Sequence, residues 1–125
     1  MNEKNRRSIL ILDPERDVGE LFARALETHK GFKCYLASKE EEAIELIKEL
    51  HFGLLLLDMD IARAGGFSLL KRIRSLVPRA VIIIDAYLHQ KDHFKEALSF
   101  GAHGFIFKPI KIDSLRKIVD QFYTA

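Results

Sequence analysis

Leu54-Leu55-Leu56-Leu57-Asp58 is the stretch that decides the fold of this chain. Four consecutive leucines end on a carboxylate. The run has the length of a strand, and it lacks the alternation of a strand with one wet face. It reads as a strand buried on both faces. Two other runs share the design: Ile9–Leu12 ending at Asp13, and Val81–Ile84 ending at Asp85. Two weaker runs, Phe32–Leu36 and Gly104–Phe107, complete the set, and Lys108 follows the last of them.

Helical repeats lie between these runs. Val18, Leu21, Phe22, Ala25 and Leu26 recur at the spacing of one helix face, as do Ala43, Leu46, Ile47 and Leu50. Phe67, Leu70, Ile73 and Leu76/Val77 mark a third helix, and Phe94, Ala97 and Leu98 a short fourth. Ile112, Leu115, Ile118, Val119 and Phe122 mark a fifth. Such one-sided stripes need a sheet to cover. The punctuation fits. Asp13-Pro14 reads as an N-cap with proline at the first helical position. Ser38 with Glu41 reads as a capping box. Gly31 and Pro78 read as stops for the first and third helices, and Asp113 as the acid that opens the fifth. Gly19, inside the first helix, costs about 1 kcal/mol relative to Ala. The order βαβαβαβαβα implies an α/β fold, a doubly wound parallel sheet of five strands with helices on both faces.

Composition sets the outer bounds. The 125 residues are one domain's worth of chain, with 48% apolar and 30% charged residues, which excludes wholesale disorder. A single cysteine, Cys34, excludes an internal disulfide framework and reads as a core thiol. No apolar run approaches the roughly 20 residues of a membrane helix, and Ile9–Leu12 is too short for a signal-peptide core. A cytoplasmic setting is expected. A net charge of +2 does not argue for nucleic acid, and Arg63, Lys71, Arg72, Arg74 and Arg79 read as a solvated helix face. His89 and His93, spaced i, i+4, have no evident third metal ligand and read as a solvated helix start.

In a parallel sheet of this kind the functional crevice lies beyond the carboxyl ends of the strands. That rule gathers Asp13, Asp58, Asp85 and Lys108 on one edge. Three carboxylates beside one ammonium are costly unless a cation or hydrogen bonds compensate. Carboxylates with backbone carbonyls and waters suit a hard cation such as Mg²⁺, and a lysine beside them suits a phosphoryl group.

Ile9-Leu10-Ile11-Leu12-Asp13, Leu54–Asp58 with Gly66 eight residues later, and Gly101-Ala-His-Gly-Phe-Ile-Phe-Lys108-Pro109 together resemble the receiver domain of bacterial two-component response regulators. The resemblance covers nearly the whole chain. It implies a flavodoxin-like sheet of order 2-1-3-4-5 in a single receiver domain over residues 1–125, with a tail of about seven residues. It implies Asp58 as phosphoacceptor from a phosphohistidine, and a histidine kinase or phosphotransfer protein as partner. Mg²⁺ would be held by Asp13, Asp58 and the backbone carbonyl of Asp60. Lys108 would contact the phosphoryl group across a cis Lys108–Pro109 junction, and Phe105 falls on the switch-aromatic position. No enzyme activity and, from the short apolar runs, no membrane association are expected, and the face of the fourth helix, fifth strand and fifth helix is a candidate for homodimerisation. Phe94, Phe100, Phe105, Lys111 and Lys117 lie in or beside those elements.

Three departures from the family pattern stand out. Pro14 replaces the second of two adjacent acids, which weakens the expected Mg²⁺ site; Glu15 comes one residue late. Ala62 replaces a common proline. Asp85 replaces a Thr or Ser whose hydroxyl would donate to the phosphoryl group. An ionised Asp cannot donate, and at about 4 Å with an effective dielectric near 20 it repels each like charge by roughly 4 kcal/mol. A weakened phosphorylation switch is expected, with Asp85 pairing with Lys108 or becoming protonated. Two other readings compete. One is a phosphorylation-independent pseudo-receiver that acts by dimerisation or docking. The other, remote, is a haloacid-dehalogenase-type phosphatase with Asp58 as nucleophile and Asp60 as general acid.

Overall fold

The computed structural model describes residues 7–123. Its five strands are β1 (Ser8–Leu12), β2 (Lys33–Ala37), β3 (Leu54–Asp58), β4 (Val81–Ala86) and β5 (Gly104–Phe107). They form one parallel sheet in the order β2-β1-β3-β4-β5. The helices are α1 (Arg16–Glu27), α2 (Glu40–Glu49), α3 (Met59–Leu76), α4 (Phe94–Ser99) and α5 (Ile112–Gln121), and a 3₁₀ turn, Leu88–His93, precedes α4. This is the doubly wound α/β fold expected from the sequence pattern, with the strand order that the family resemblance implies.

The leucine run explains the architecture. β3 is central, and Leu54, Leu55, Leu56 and Leu57 are all fully buried. Alternate residues face opposite layers. Leu55 and Leu57 join Leu10, Leu12, Ile82 and Ile84 against α2, α3 and α4. Leu54 and Leu56 join Ile9, Ile11 and Ile83 against Phe22 and Leu26 of α1 and Leu115 and Val119 of α5. Each fully buried aliphatic side chain is worth roughly 1.5–3 kcal/mol. The edge strands β2 and β5 keep exposed residues, Lys33 and Phe107, which is why their runs read weakly. Gly19 faces the sheet with room to spare: a Cβ there would make ordinary contacts, 3.5 Å from Leu36 Cδ2 and 3.9 Å from Ile11 Cγ2.

Several local expectations give way. α1 starts at Arg16 behind Glu15, not at Pro14, because the Asp13 carboxylate accepts from the Glu15 N–H (2.8 Å) and closes its own turn first. α1 ends at Glu27, with Thr28 as its C-cap; Gly31 (φ +71°) shapes the later turn into β2, beside Lys30 (φ +57°). Ser38 pairs with Glu42 rather than Glu41: both its N–H (3.0 Å) and its hydroxyl (2.8 Å) reach Glu42 Oε1, and Lys39 is the N-cap. α3 begins eight residues before Phe67, with a break in its backbone at 64–67. Leu21 (54% exposed) and Leu98 (50% exposed) fall outside the core stripes they extend in sequence. Of the expected tail, residues 1–6 lie outside the described residues, and the Arg7 carbonyl accepts from the Lys33 N–H (2.9 Å). No helix among the described residues is long and apolar enough to cross a membrane.

Candidate functional site

The register of the sheet builds the site. Asp58 lies directly opposite Asp85, and Leu12 opposite Leu57, so Asp13 follows β1 at the same level. Pairing continues past the strand ends: the Asp13 N–H donates to the Ala37 carbonyl (3.0 Å) and the Lys108 N–H to the Ala86 carbonyl (2.8 Å). Four charged groups from β1, β3, β4 and the end of β5 thus meet at one rim. One carboxylate oxygen each from Asp13, Asp58 and Asp85 lies within 4.8 Å of the others. All three residues are buried, Asp85 completely.

Asp58 does two jobs. It is the N-cap of α3, where Oδ2 accepts from the Ile61 N–H (3.2 Å), and its Oδ1 accepts from Lys108 Nζ (2.7 Å). Nζ also lies 3.4 Å from Asp85 Oδ1, an ion pair without the alignment of a hydrogen bond. Burial works against the Lys108 charge, but the hydrogen bond to Asp58 and the pull of both carboxylates outweigh it and hold the ammonium above the ordinary lysine range. The Lys108–Pro109 peptide is cis.

Asp85 is held differently. Neither of its oxygens has a hydrogen-bond partner. Burial pushes its carboxyl up to about 7; Lys108 opposes the rise, and Asp58 and Asp13 add to it. Burial also raises Asp13 above the ordinary carboxylate range, against the Glu15 N–H bond. Asp13 Oδ2 is buried and without a partner.

Other expected site residues sit nearby in different roles. Asp60 is exposed at the same cavity, and its carboxylate is engaged elsewhere: Oδ1 accepts from Gln90 Nε2 (2.9 Å). Gln90 Oε1 in turn accepts from the Tyr87 N–H (2.9 Å), so this nearly buried amide ties the start of α3 to the loop after β4. Tyr87 stands over Lys108, with Nζ 5.1 Å from the ring centre, a cation–π contact. Sequence reading missed Gln90 and Tyr87. The segment between β4 and α4 has no apolar stripe, and Gln90 meets Asp60 across 30 residues of chain. Phe105 is half-buried and stacks on Phe94 at 4.1 Å between ring centres. Phe100 is half-buried, while Lys111 and Lys117 are exposed. Pro14, Val18, Phe22 and Pro109 give the acidic rim an apolar border, and together they line an open cavity of about 390 Å³.

The model of the response regulator receiver domain matches residues 9–120. The chain belongs to this family. It is 30% identical over 120 residues to the transcriptional regulatory protein CrdR of Helicobacter pylori, covering 94% of this chain and 55% of that protein. It is 30% identical over 110 residues to a protein-glutamate methylesterase/protein-glutamine glutaminase of Myxococcus xanthus, covering 87% of this chain and 32% of that one. The receiver therefore spans from about a third to about half the length of these curated relatives. Among solved structures it is similar to a two-component response regulator from Clostridium difficile (TM-score 0.84, 28% identity), covering 93% of this chain and 94% of that one.

Receiver domains generally bind Mg²⁺ through acidic residues, and the acids here fit such an ion by chemistry and spacing. All are hard oxygen donors. Two oxygens on opposite sides of Mg²⁺, bound at about 2.0–2.1 Å, would be about 4.0–4.2 Å apart, so oxygens within 4.8 Å of one another reach the ion with shifts of a few tenths of an ångström. The buried, unpartnered Asp13 Oδ2 is a ready ligand.

Proposed function

We propose that this receiver accepts a phosphoryl group on Asp58, from the phosphohistidine of a histidine kinase or phosphotransfer protein, and that Asp85 weakens the switch that follows. The observation that carries the reading is the 2.7 Å contact between Lys108 Nζ and Asp58 Oδ1 at the strand ends. An Asp58 carboxylate oxygen attacks phosphorus, the P–N bond breaks, and its electron pair stays on the imidazole nitrogen. Lys108 is within reach of the phosphoryl oxygens and offsets their charge. A Mg²⁺ held by Asp13, Asp58 and the Asp60 carbonyl would supply the remaining charge neutralisation.

Asp85 alters the consequence. It stands where a hydroxyl donor would draw the loop after β4 inward, and its ionised form offers the phosphoryl group only repulsion. It pairs with Lys108 instead. Phe105, packed on Phe94, then lacks the usual pull that would free its space. The Asp85–Lys108 contact also supports the second reading, a pseudo-receiver that acts through its α4–β5–α5 face without phosphorylation; Phe107 and Leu98 are exposed there. A homodimer through that face, the absence of catalytic turnover and a cytoplasmic setting belong to this proposal.

Incubation with Mg²⁺ and acetyl phosphate, followed by intact-protein mass spectrometry, tests it. Addition of one phosphoryl group that disappears in Asp58→Asn is expected. No addition in the wild type favours the pseudo-receiver.

A further inference from the structure

We infer that Asp85 is a ligand for the divalent cation, and that it supplies from β4 the carboxylate that Pro14 removes from the end of β1. Three observations converge. The three aspartates bring one oxygen each to within 4.8 Å of one another. Both Asp85 oxygens and Asp13 Oδ2 are buried without hydrogen-bond partners, and Asp85 is wholly inaccessible to solvent. Lys108 Nζ, 3.4 Å from Asp85 Oδ1, offsets part of its charge but leaves Oδ2 without a partner, and cations are the usual partners of such buried groups. Third, position 14 cannot serve. Proline carries no ligand atom in its side chain.

The charge count agrees. Asp13, Asp58 and Asp85 with Lys108 carry a net charge of −2 when all are ionised, which one divalent cation neutralises. Relative to the arrangement that the family resemblance implies, the third acid has crossed the sheet from β1 to β4. The cation then ties β1, β3 and β4 together, and its arrival acts on the loop after β4 that a hydroxyl would otherwise move. Cation binding becomes a signal in its own right, sensed at Tyr87 and Gln90.

The inference concerns the metal-binding part of the proposed site and makes no use of phosphorylation. Its test is a titration of the intact chain with Mg²⁺, and with Mn²⁺ as a paramagnetic probe, at pH 7.5 without phosphoryl donor. Calorimetry gives the affinity, and amide NMR shifts report the position. Asp85→Asn, close in shape and free of charge, is expected to weaken Mg²⁺ binding on the order of tenfold or more, as affinity follows the number of charged ligands. Pro14→Asp combined with Asp85→Asn is expected to recover most of the loss, because it returns an acid to β1. In the wild type, Mg²⁺ is expected to shift the amides of Asp85, Ala86 and Tyr87. Equal affinity in the wild type and Asp85→Asn would overturn the inference, as would a wild type that binds neither metal. A protein that binds Mg²⁺ through Asp85 yet takes no phosphoryl group from acetyl phosphate would leave the inference standing and remove only the phosphoacceptor reading.

Discussion

Asp85 is the residue on which the chemistry turns, and its environment makes a signed prediction. In the unfolded chain it ionises near the ordinary aspartate value of 3.8; in the fold, burial pushes it up to about 7. A group whose folded value is raised stabilises the protein below its unfolded value and loses that contribution as pH rises through the folded one. A rise of about three units is worth roughly 4 kcal/mol. In metal-free buffer, Asp85→Asn should therefore gain stability over the wild type as pH goes from about 4 to 7, by up to about 4 kcal/mol, and level off above that. Urea melts across this range measure it, and parallel curves would count against the assignment. Lys108 makes the converse case. Lys108→Met leaves Asp58 and Asp85 buried without their ammonium, at a cost of about 3–5 kcal/mol at pH 8. At pH 5, where Asp85 is protonated, denaturation should show a clearly smaller loss.

The elements show what a sequence tells and what it withholds. The strands were legible because a buried central strand can only be a short unbroken apolar run, as Leu54–Leu57 is. The helix starts were less legible, because capping depends on which N–H a side chain reaches. Asp13 takes Glu15, and Ser38 meets Glu42, one residue from where the motif would put its partner. The break in α3 was not legible either. Gly65 (φ +63°) and Gly66 (φ +69°) adopt the left-handed region readily, and Phe67 (φ +64°), for which that region is costly, joins them with its side chain fully buried in the core. The 3₁₀ turn before α4 depends on a contact that no local pattern contains, the Gln90 amide between Asp60 and Tyr87. Gln90→Ala frees the Tyr87 N–H from its acceptor. Hydrogen exchange at Tyr87 should quicken by about fivefold, in line with the ~1 kcal/mol of a typical hydrogen bond, while exchange in β3 stays unchanged. Unaltered exchange at Tyr87 would show that the turn does not need this bond.

For the whole molecule, the doubly wound topology converts distant positions into neighbours. Asp13, Asp58, Asp85 and Lys108 span most of the sequence, yet the parallel register sets them at one level. That much of the site was legible, since each of these residues closes an apolar run. The lack of hydrogen bonds at the Asp85 oxygens, the Asp60–Gln90 contact and the cover given by Tyr87 were not, because side-chain direction at a strand end depends on the loops around it. An acid where a hydroxyl is usual should make this a receiver that holds its phosphoryl group poorly. The most direct test is the occupancy and lifetime of phosphoryl-Asp58 at pH 8 and saturating Mg²⁺, followed by intact-protein mass spectrometry after acetyl phosphate is removed. The wild type is compared with Pro14→Asp/Asp85→Thr, which restores both the acid on β1 and the hydroxyl on β4. The double variant should reach higher occupancy and keep the group on the order of tenfold longer, the factor that one hydrogen bond to the phosphoryl group in place of a repelling carboxylate should give at the least. A wild type that fills and holds Asp58 as well as the double variant would show that Asp85 does not weaken the switch.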